Sequence, residues 1–182
     1  ERFVPEALHP RSYLDDDIEL APGRHLMEPM VTGRLIQAAA VKATDMALVV
    51  GAATGYAAAL LAKLANTVVA LEANAALAQR AGTTLAELGI DNAAVVEGAL
   101  AAGCAKHAPY DVIFLDGAIE QLPQALIDQL GEGGRMVGVV IEGGVGRAML
   151  WLKSGGVLSK RILFDANVTP LPGFGIPARF VL

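Results

Sequence analysis

The chain has 182 residues, of which 54% are hydrophobic and 18% are charged, and its 14 basic and 19 acidic side chains leave a net charge of −5. A chain of this length can bury a full core as one domain, and its continuous apolar runs are typical of a sheet covered by helices on both faces. The acidic balance provides no basic field for a nucleic-acid backbone, so no nucleic-acid partner is expected.

The single cysteine, Cys104, excludes an internal disulfide and a cysteine-rich metal site, and it fits a reducing compartment. The longest uncharged run, residues 46–62, is shorter than the ~18 to 20 apolar residues that a membrane span needs. No signal peptide is recognisable. We therefore expect a cytoplasmic protein without a membrane partner.

The first 45 residues hold few apolar runs. Residues 13–21 combine three adjacent aspartates with single hydrophobic residues, which predicts a solvated loop or an edge hairpin. Adjacent aspartate side chains diverge, so the cluster is not expected to hold a metal ion. Residues 28–41 have helical apolar spacing, and Pro29 is tolerated in the first turn of such a helix.

Residues 46–72 form the most informative stretch of the chain. An apolar run stops at a small-residue turn from Gly51 to Gly55, an alanine and leucine run follows, and a second apolar run ends at Glu72. This order predicts strand, tight turn, helix and strand. The turn brings backbone close to a ligand, the helix start offers free N–H groups, and the carboxylate can accept hydrogen bonds from a ribose. The stretch therefore predicts a nucleoside-cofactor site.

The remaining elements continue the alternation of strand and helix. We expect a helix at 73–88, strands at 93–96 and 111–116, a helix at 124–130, a strand at 135–141, a hairpin of 148–152 with 157–164, and one edge strand at 179–182. The pattern predicts a doubly wound, Rossmann-like α/β fold with a mostly parallel sheet, helices on both faces and an antiparallel hairpin at the C-terminal edge. The turn, Glu72, Gly98 and Asp116 then share one rim, where such sheets bind ligands.

Several segments of the chain resemble one family, the class I S-adenosylmethionine-dependent methyltransferases, and within it the protein-L-isoaspartate O-methyltransferases. The segments are RFVPEAL at 2–8, EPM at 28–30, GAATGYAAALLA at 51–62, VVALE at 68–72, APYDVI at 108–113, LGEGGRMV at 130–137 and TPLPGF at 169–174. The resemblance covers nearly the whole chain. It implies one methyltransferase domain over residues 1–182 that lacks the family's first helix, and it implies S-adenosyl-L-methionine as cofactor.

The resemblance also implies roles for individual residues. The turn would face the methionine part of the cofactor, Glu72 would hold the ribose hydroxyls, and the start of the next loop would lie by the adenine. The expected cofactor-binding residues are Gly51, Ala52, Ala53, Gly55, Tyr56, Glu72, Ala73, Gly98 and Ala99. No metal ligands are expected.

The chain departs from the family pattern on the cofactor side. Val49 stands where the family has an acid, Ala53 replaces the second glycine of the turn, and Ala99 stands where an aspartate is usual. Each missing interaction could cost on the order of 1 kcal/mol of cofactor binding. One alternative is therefore a catalytically degenerate relative that serves as a binding or scaffold protein.

The acceptor side departs further, and it contains the catalytic candidates Asp116, His25 and Met27. The family's Thr-Ile-Ser run aligns with residues 25–27, and Met27 cannot donate the hydrogen bond of the serine that it replaces. Asp116 at the rim would repel a carboxylate acceptor unless a cation intervenes. Asp116 or His25 could instead act as base for a hydroxyl or amine. We expect a changed acceptor, either a protein or peptide or a small molecule, and weak or no isoaspartyl methylation.

Two other enzyme classes use similar sequence elements. Catechol-type O-methyltransferases bind magnesium through an aspartate at the position of Asp116, but they also need an Asp-Asn pair where this chain has Val-Ile-Glu-Gly at 140–143. A nicotinamide-dependent dehydrogenase would use the same strand, turn and helix, but the chain lacks the Gly-x-Gly spacing and a catalytic Tyr-Lys or His pair.

Overall fold

The computed structural model describes residues 1–175, and its centre is a seven-stranded sheet. Its strands are β3 (Met46–Val50), β4 (Thr67–Glu72), β5 (Ala93–Glu97), β6 (Tyr110–Ile119), β7 (Leu130–Glu142), β8 (Val145–Ser154) and β9 (Val157–Asp165). Across the sheet they follow the order β5-β4-β3-β6-β7-β8-β9. Strands β3 to β7 are parallel, and β8 and β9 add an antiparallel edge. The predicted fold is confirmed.

Helices cover both faces of the sheet because the side chains of each buried strand alternate between two apolar layers. The helices are α1 (Pro29–Ala39), α2 (Tyr56–Ala62), α3 (Ala75–Glu87) and α4 (Gln124–Gln129). On β3, Ala47 and Val49 belong to the layer that includes residues of α1, α2 and α3, whereas Leu48 and Val50 belong to the layer of α4. Strands that are buried on both faces explain the continuous apolar runs of the sequence.

The aspartate cluster caps a helix instead of forming only a solvated turn. The backbone N–H of Glu28 donates to Asp17 Oδ1, and the N–H of Met30 donates to Asp15 Oδ1, both at 2.9 Å. These are N–H groups at the start of α1 that lack partners within the helix. Asp15 is exposed, but Asp17 is half-buried and also binds the C-terminal segment.

A small hairpin lies outside the main sheet and carries a buried cation. It consists of β1 (Ile18–Ala21) and β2 (Arg24–Leu26), which pair in an antiparallel manner. Residues 13–21, for which a solvated loop or an edge hairpin is expected, thus provide only the first strand of a hairpin, and this hairpin is separate from the large sheet. Arg24 is only 5% exposed, and this places a guanidinium inside the protein at the end of the large sheet.

After β9 the chain returns across the end of β6. The N–H of Leu171 donates to the Ala118 carbonyl at 2.7 Å, and the N–H of Ala118 donates to the Thr169 carbonyl at 3.0 Å. The edge strand expected at 179–182 lies outside the described residues. Among the helices of residues 1–175, none is long and apolar enough to cross a membrane.

Strand β6 is longer than expected. The prediction that it ends at Asp116 is wrong, because it continues to Ile119. Its pairing with β7 is irregular between Phe114 and Ala118. This local irregularity re-aims side chains at the rim of the sheet, and Asp116 is therefore buried within the strand rather than displayed after its end.

Candidate functional site

The predicted turn between β3 and α2 is present, with three residues in the left-handed region. Gly51 has φ 84°, Ala53 has φ 48° and Gly55 has φ 95°. A side chain at Gly55 would come within 3.3 Å of the Ala81 Cβ of α3, so this glycine serves helix packing. At Ala53, the left-handed conformation costs roughly 1 to 2 kcal/mol. The chain thus keeps the shape of the turn although an alanine replaces its second glycine.

Glu72 closes β4 directly against this turn. Its side chain is fully buried. Oε2 accepts the N–H of Ala53 at 2.7 Å, and Oε1 accepts the N–H groups of Ala73 and Asn74 at 3.0 Å each. The structure therefore brings the acid and the turn together at the carboxyl ends of β3 and β4.

Arg24 of the hairpin pairs with Glu72. Its Nε donates to Oε1 at 3.2 Å, its Nη2 donates to Oε2 at 2.7 Å, and Nη2 also donates to the Gly51 carbonyl at 2.9 Å. Burial alone would raise the pKa of Glu72, but the hydrogen bonds and charge of Arg24, with the N–H groups of Asn74 and Ala53, outweigh it and lower that pKa. Glu72 is therefore an ionised carboxylate in a buried bidentate ion pair.

Leu171 lies over the same turn. A Cβ built on Gly51 would be 2.7 Å from the Leu171 Cδ2 and 3.2 Å from the Arg24 Nη2. A Cβ built on Gly117 of β6 would be 2.8 Å from Leu171 as well. Leu171 is 3% exposed. Glycines at 51 and 117 thus make room for this leucine between the turn and the irregular part of β6.

The three catalytic candidates line one small cavity beside Arg24. Asp116, His25 and Met27 surround it together with Asp17, Gly117, Val168 and Thr169. Its volume is about 10 Å³, which is close to the space that one water molecule needs. The structure therefore brings these residues together, and it places next to them a cation, Arg24, that the sequence does not predict there.

Asp116 is buried, and this changes its charge. Burial raises the pKa of Asp116 from 3.8 to about 7, with Glu72 and Asp17 raising it further and Arg24 opposing them. Near neutral pH the side chain is therefore a mixture of carboxylic acid and carboxylate. The expected repulsion of a carboxylate acceptor is correspondingly weaker than a permanently charged Asp116 would cause.

Met27 and His25 differ in their surroundings. Met27 is 2% exposed and belongs to the apolar layer that contains Val31 and Leu35 of α1. His25 lies in β2, and its buried Nδ1 has no hydrogen-bond partner among residues 1–175. Met27 is thus a core residue at the edge of the cavity, whereas His25 has an unused polar atom.

The other expected cofactor residues lie on both sides of Glu72. Ala52 is fully buried in the turn, and Tyr56 packs edge-on against Phe3, with ring centroids 5.4 Å apart. On the adenine side, the N–H of Gly98 donates to the Glu72 carbonyl at 3.0 Å. Ala73 and Ala99 are exposed there. The described adenine side is therefore open, whereas the turn is covered.

Arg24 and Leu171 are two residues of the site that the sequence does not predict. The signal for Arg24 was weak, because its only hint was that a buried Glu72 needs a cationic or hydrogen-bonding partner. Leu171 lies in the segment at 169–174 that resembles the family, but nothing in that segment indicates which side chain reaches the turn. Both residues come from outside the strand-turn-helix unit that they cover.

Comparisons with known proteins agree with this architecture. In solved structures, a protein-L-isoaspartate O-methyltransferase superposes with a TM-score of 0.83 at 24% identity, covering 95% of this chain and 58% of that one. A Plasmodium falciparum protein described as a putative protein-L-isoaspartate O-methyltransferase, in complex with S-adenosyl-L-homocysteine, superposes with a TM-score of 0.76 at 22% identity and covers 93% and 84%. The fold is that of the Rossmann-like methyltransferases.

The sequence comparisons define the family more closely. The model of the protein-L-isoaspartate(D-aspartate) O-methyltransferase family matches residues 1–170. The protein-L-isoaspartate O-methyltransferase of Koribacter versatilis (strain Ellin345) is 38% identical over 173 residues, which cover 95% of this chain and 78% of the relative. The chain belongs to the protein-L-isoaspartate O-methyltransferase family. This result confirms the resemblance and favours a methyltransferase over a dehydrogenase.

Enzymes of this family use S-adenosylmethionine, but in the described conformation the residues do not fit its adenosyl group. Glu72 already accepts five hydrogen bonds, and a carboxylate has about four lone-pair sites. No acceptor remains for the ribose hydroxyls. Leu171 and the Arg24 guanidinium also cover Gly51, since a Cβ built there would be 2.7 Å from Leu171 and 3.2 Å from Arg24.

Proposed function

We propose that this chain is an S-adenosylmethionine-dependent methyltransferase that uses the rim formed by β3, β4 and β6. The observation that carries this proposal is the position of Glu72, which ends β4 and binds the N–H of Ala53 in the turn after β3. A carboxylate at this place is what a ribose-binding site in such a sheet requires. Membership of the family supports the same function.

The acceptor that we propose is a hydroxyl or an amine of a protein or peptide rather than an isoaspartyl carboxylate. Met27 is an apolar core residue, so the acceptor side lacks the hydroxyl donor expected of the family. Asp116 has a pKa of about 7, which is suited to a group that takes a proton from an acceptor near neutral pH. His25, with its free Nδ1, lines the same cavity.

A non-catalytic role is the second candidate, and the Arg24–Glu72 pair favours it. Both side chains are at least 95% buried, and the pair occupies the carboxylate on which cofactor binding depends. A protein that never opens this pair would keep the fold and lose the reaction. A direct measurement of methyl transfer separates the two candidates.

The test is S-adenosylhomocysteine formation with an isoaspartyl peptide and, separately, with peptides that present serine, lysine or aspartate. We expect weak or no turnover on the isoaspartyl peptide and higher turnover on a hydroxyl or amine acceptor. Robust isoaspartyl methylation by the unmodified protein would show that the acceptor is unchanged. The absence of turnover with every peptide, together with no binding of S-adenosylhomocysteine, would leave the non-catalytic role.

Met27→Ser restores the hydroxyl that is usual in the family, and it should increase isoaspartyl turnover if this position limits the reaction. Met30→Ser is the matched control because Met30 is 50% exposed. Truncating the buried Met27 should destabilise the fold by roughly 2 to 5 kcal/mol, so turnover is compared only at temperatures at which circular dichroism shows a folded protein.

A further inference from the structure

We infer that Arg24 and Leu171 form an internal plug that holds the cofactor cleft closed, so that an adenosyl ligand must displace both side chains in order to bind. The inference rests on the proposed function, because it concerns regulation of the same rim. Two independent parts of the chain supply the plug: Arg24 comes from the hairpin at the start of the chain, and Leu171 comes from the segment after β9.

The polar half of the plug imitates a ligand. A ribose diol would donate hydrogen bonds to Glu72, and Arg24 makes two such bonds with the same carboxylate. The guanidinium also donates to the Gly51 carbonyl, which lies in the turn beneath the expected cofactor. Since these donors compete for the same acceptors, Arg24 and a ribose cannot occupy Glu72 together.

The apolar half of the plug is fitted to the site. Leu171 reaches into space that glycines leave on two sides, at the turn and on β6, and a Cβ at either position would be less than 3 Å from its side chain. Both glycines have a positive φ. The leucine is held from its backbone, since its N–H donates to the Ala118 carbonyl. The fit is therefore a packed contact rather than a loose covering.

Asp17 connects the two halves. Its Oδ2 accepts the N–H of Thr169 at 3.0 Å and the Thr169 hydroxyl at 3.1 Å, while its Oδ1 accepts the N–H of Glu28. Asp17 directly precedes the hairpin, and Thr169 is two residues before Leu171. Movement of the C-terminal segment away from β6 would therefore break bonds that also hold the base of the hairpin.

Energetics favour a closed cleft that can still open. Burial strengthens the electrostatic attraction between Arg24 and Glu72, but it also costs both groups their hydration. Opening the cleft returns that hydration, which offsets part of the lost attraction. A ligand that supplies hydroxyl donors to Glu72 restores part of the lost hydrogen bonding. The apparent dissociation constant of the ligand then equals its value for the open protein divided by the fraction of molecules that are open.

Calorimetric titration with S-adenosylhomocysteine tests the plug in the wild-type protein, in Arg24→Gln, in Leu171→Ala and in the double variant. Glutamine removes the charge and shortens the donor, and alanine removes the apolar half. We expect the dissociation constant of the double variant to be at least about tenfold lower than that of the wild type. One matched control is Arg135→Gln, which disrupts the ion pair of the half-buried Arg135 with the buried Asp45. The other is Leu126→Ala, at a buried leucine of α4, and both controls should bind as the wild type does.

The outcomes separate the inference from the proposed function. Equal, tight binding by the wild type and the double variant overturns the plug and leaves the methyltransferase proposal standing. Binding by neither overturns both. Should Arg24→Gln fail to fold by circular dichroism, Leu171→Ala carries the test alone, since it opens space without leaving a buried charge unpaired, and unchanged affinity in that variant contradicts the plug.

Hydrogen exchange of the wild-type protein provides a test without substitutions. The N–H groups of Leu171 and Ala118 are bonded within the closed segment, so saturating S-adenosylhomocysteine should increase their exchange while it protects the N–H of Ala53. Undiminished protection at Leu171 and Ala118 in the presence of bound ligand would show that the cleft does not open in this way.

Discussion

Two arginine–carboxylate pairs lie at opposite ends of the sheet and serve different purposes. The pair of Arg24 and Glu72 is buried, whereas Arg135 in the other pair is half-buried. Arg135 of β7 pairs with Asp45, which directly precedes β3. Its guanidinium also donates to the carbonyls of Ala39 and Ala40 at 3.0 and 3.1 Å. Those carbonyls end α1 and lack partners within the helix. This pair therefore completes the hydrogen bonding of a helix end.

The pair of Arg24 and Glu72 lies at the ligand-binding end of the sheet instead. Glu72 binds three backbone N–H groups, and Arg24 has Gly51 as its one backbone acceptor among the described residues. A cavity and two glycines adjoin this pair. Both pairs satisfy backbone groups, so that property does not distinguish them. They differ in position, because only the Arg24 pair occupies a carboxylate at the end of the sheet where, on our proposal, a ribose would bind.

The largest expected effect is a difference in stability between Glu72→Ala and Asp45→Ala. Glu72→Ala leaves Arg24 buried with one acceptor and leaves three N–H groups unpaired, so it should lower the free energy of unfolding by about 3 to 5 kcal/mol. Asp45→Ala should cost about 1.5 to 3 kcal/mol, because Arg135 keeps two carbonyl acceptors. Urea unfolding at pH 7 measures both, and equal losses would contradict the comparison. Glu87→Ala, in the exposed Arg2–Glu87 pair, is the control.

The second effect concerns pH, because a third carboxyl, Asp116, adjoins the Arg24 pair. Its folded pKa of about 7 lies above its ordinary 3.8, so the folded state binds the proton more tightly and this group destabilises the fold as pH rises from about 4 to 7. Asp116→Asn should therefore raise the free energy of unfolding at pH 8 by up to about 4 kcal/mol and change it little at pH 4.

Thermal or urea unfolding of Asp116→Asn from pH 4 to pH 8 measures this difference. Asp91→Asn is the control, since Asp91 is exposed and its replacement should shift stability by less than about 0.5 kcal/mol. If the difference in the free energy of unfolding between the wild type and Asp116→Asn stays constant across this pH range, Asp116 does not titrate there.

The smallest effect compares two alanines in the left-handed region, one near each pair. Ala40 has φ 45° and ends α1, and Ala53 has φ 48° in the turn. Glycine relieves the conformational cost at both positions. Ala40→Gly should therefore raise the free energy of unfolding by about 0.5 to 1 kcal/mol. Ala53 is fully buried, so losing its methyl group removes about 0.8 kcal/mol. Differential scanning calorimetry should show Ala53→Gly close to wild type, and stabilisation equal to that of Ala40→Gly would show that this methyl group contributes nothing.

The fold could be predicted from the sequence because its signals are local. Apolar runs of five to six residues mark β3 and β4, the small residues at 51–55 mark the turn, and Gly155 with Gly156 marks the hairpin of β8 and β9. The family resemblance relies on the same local segments. The sequence predicts too early an end for β6, because an acid and a glycine follow one another at 116–117, where the pairing with β7 is irregular but the strand continues.

The sequence by itself determined the fold class, the family and the position of the acid at the end of β4, because periodicity and short motifs involve residues close together along the chain. Only the tertiary structure decided what lies against that acid. Arg24 is 48 residues from Glu72 along the chain. Gly51 and Leu171 are separated along the chain by the strands from β4 to β9. Their contacts depend on how a hairpin and a C-terminal segment fold back across the rim, and burial, which arises only there, also sets the charge of Asp116.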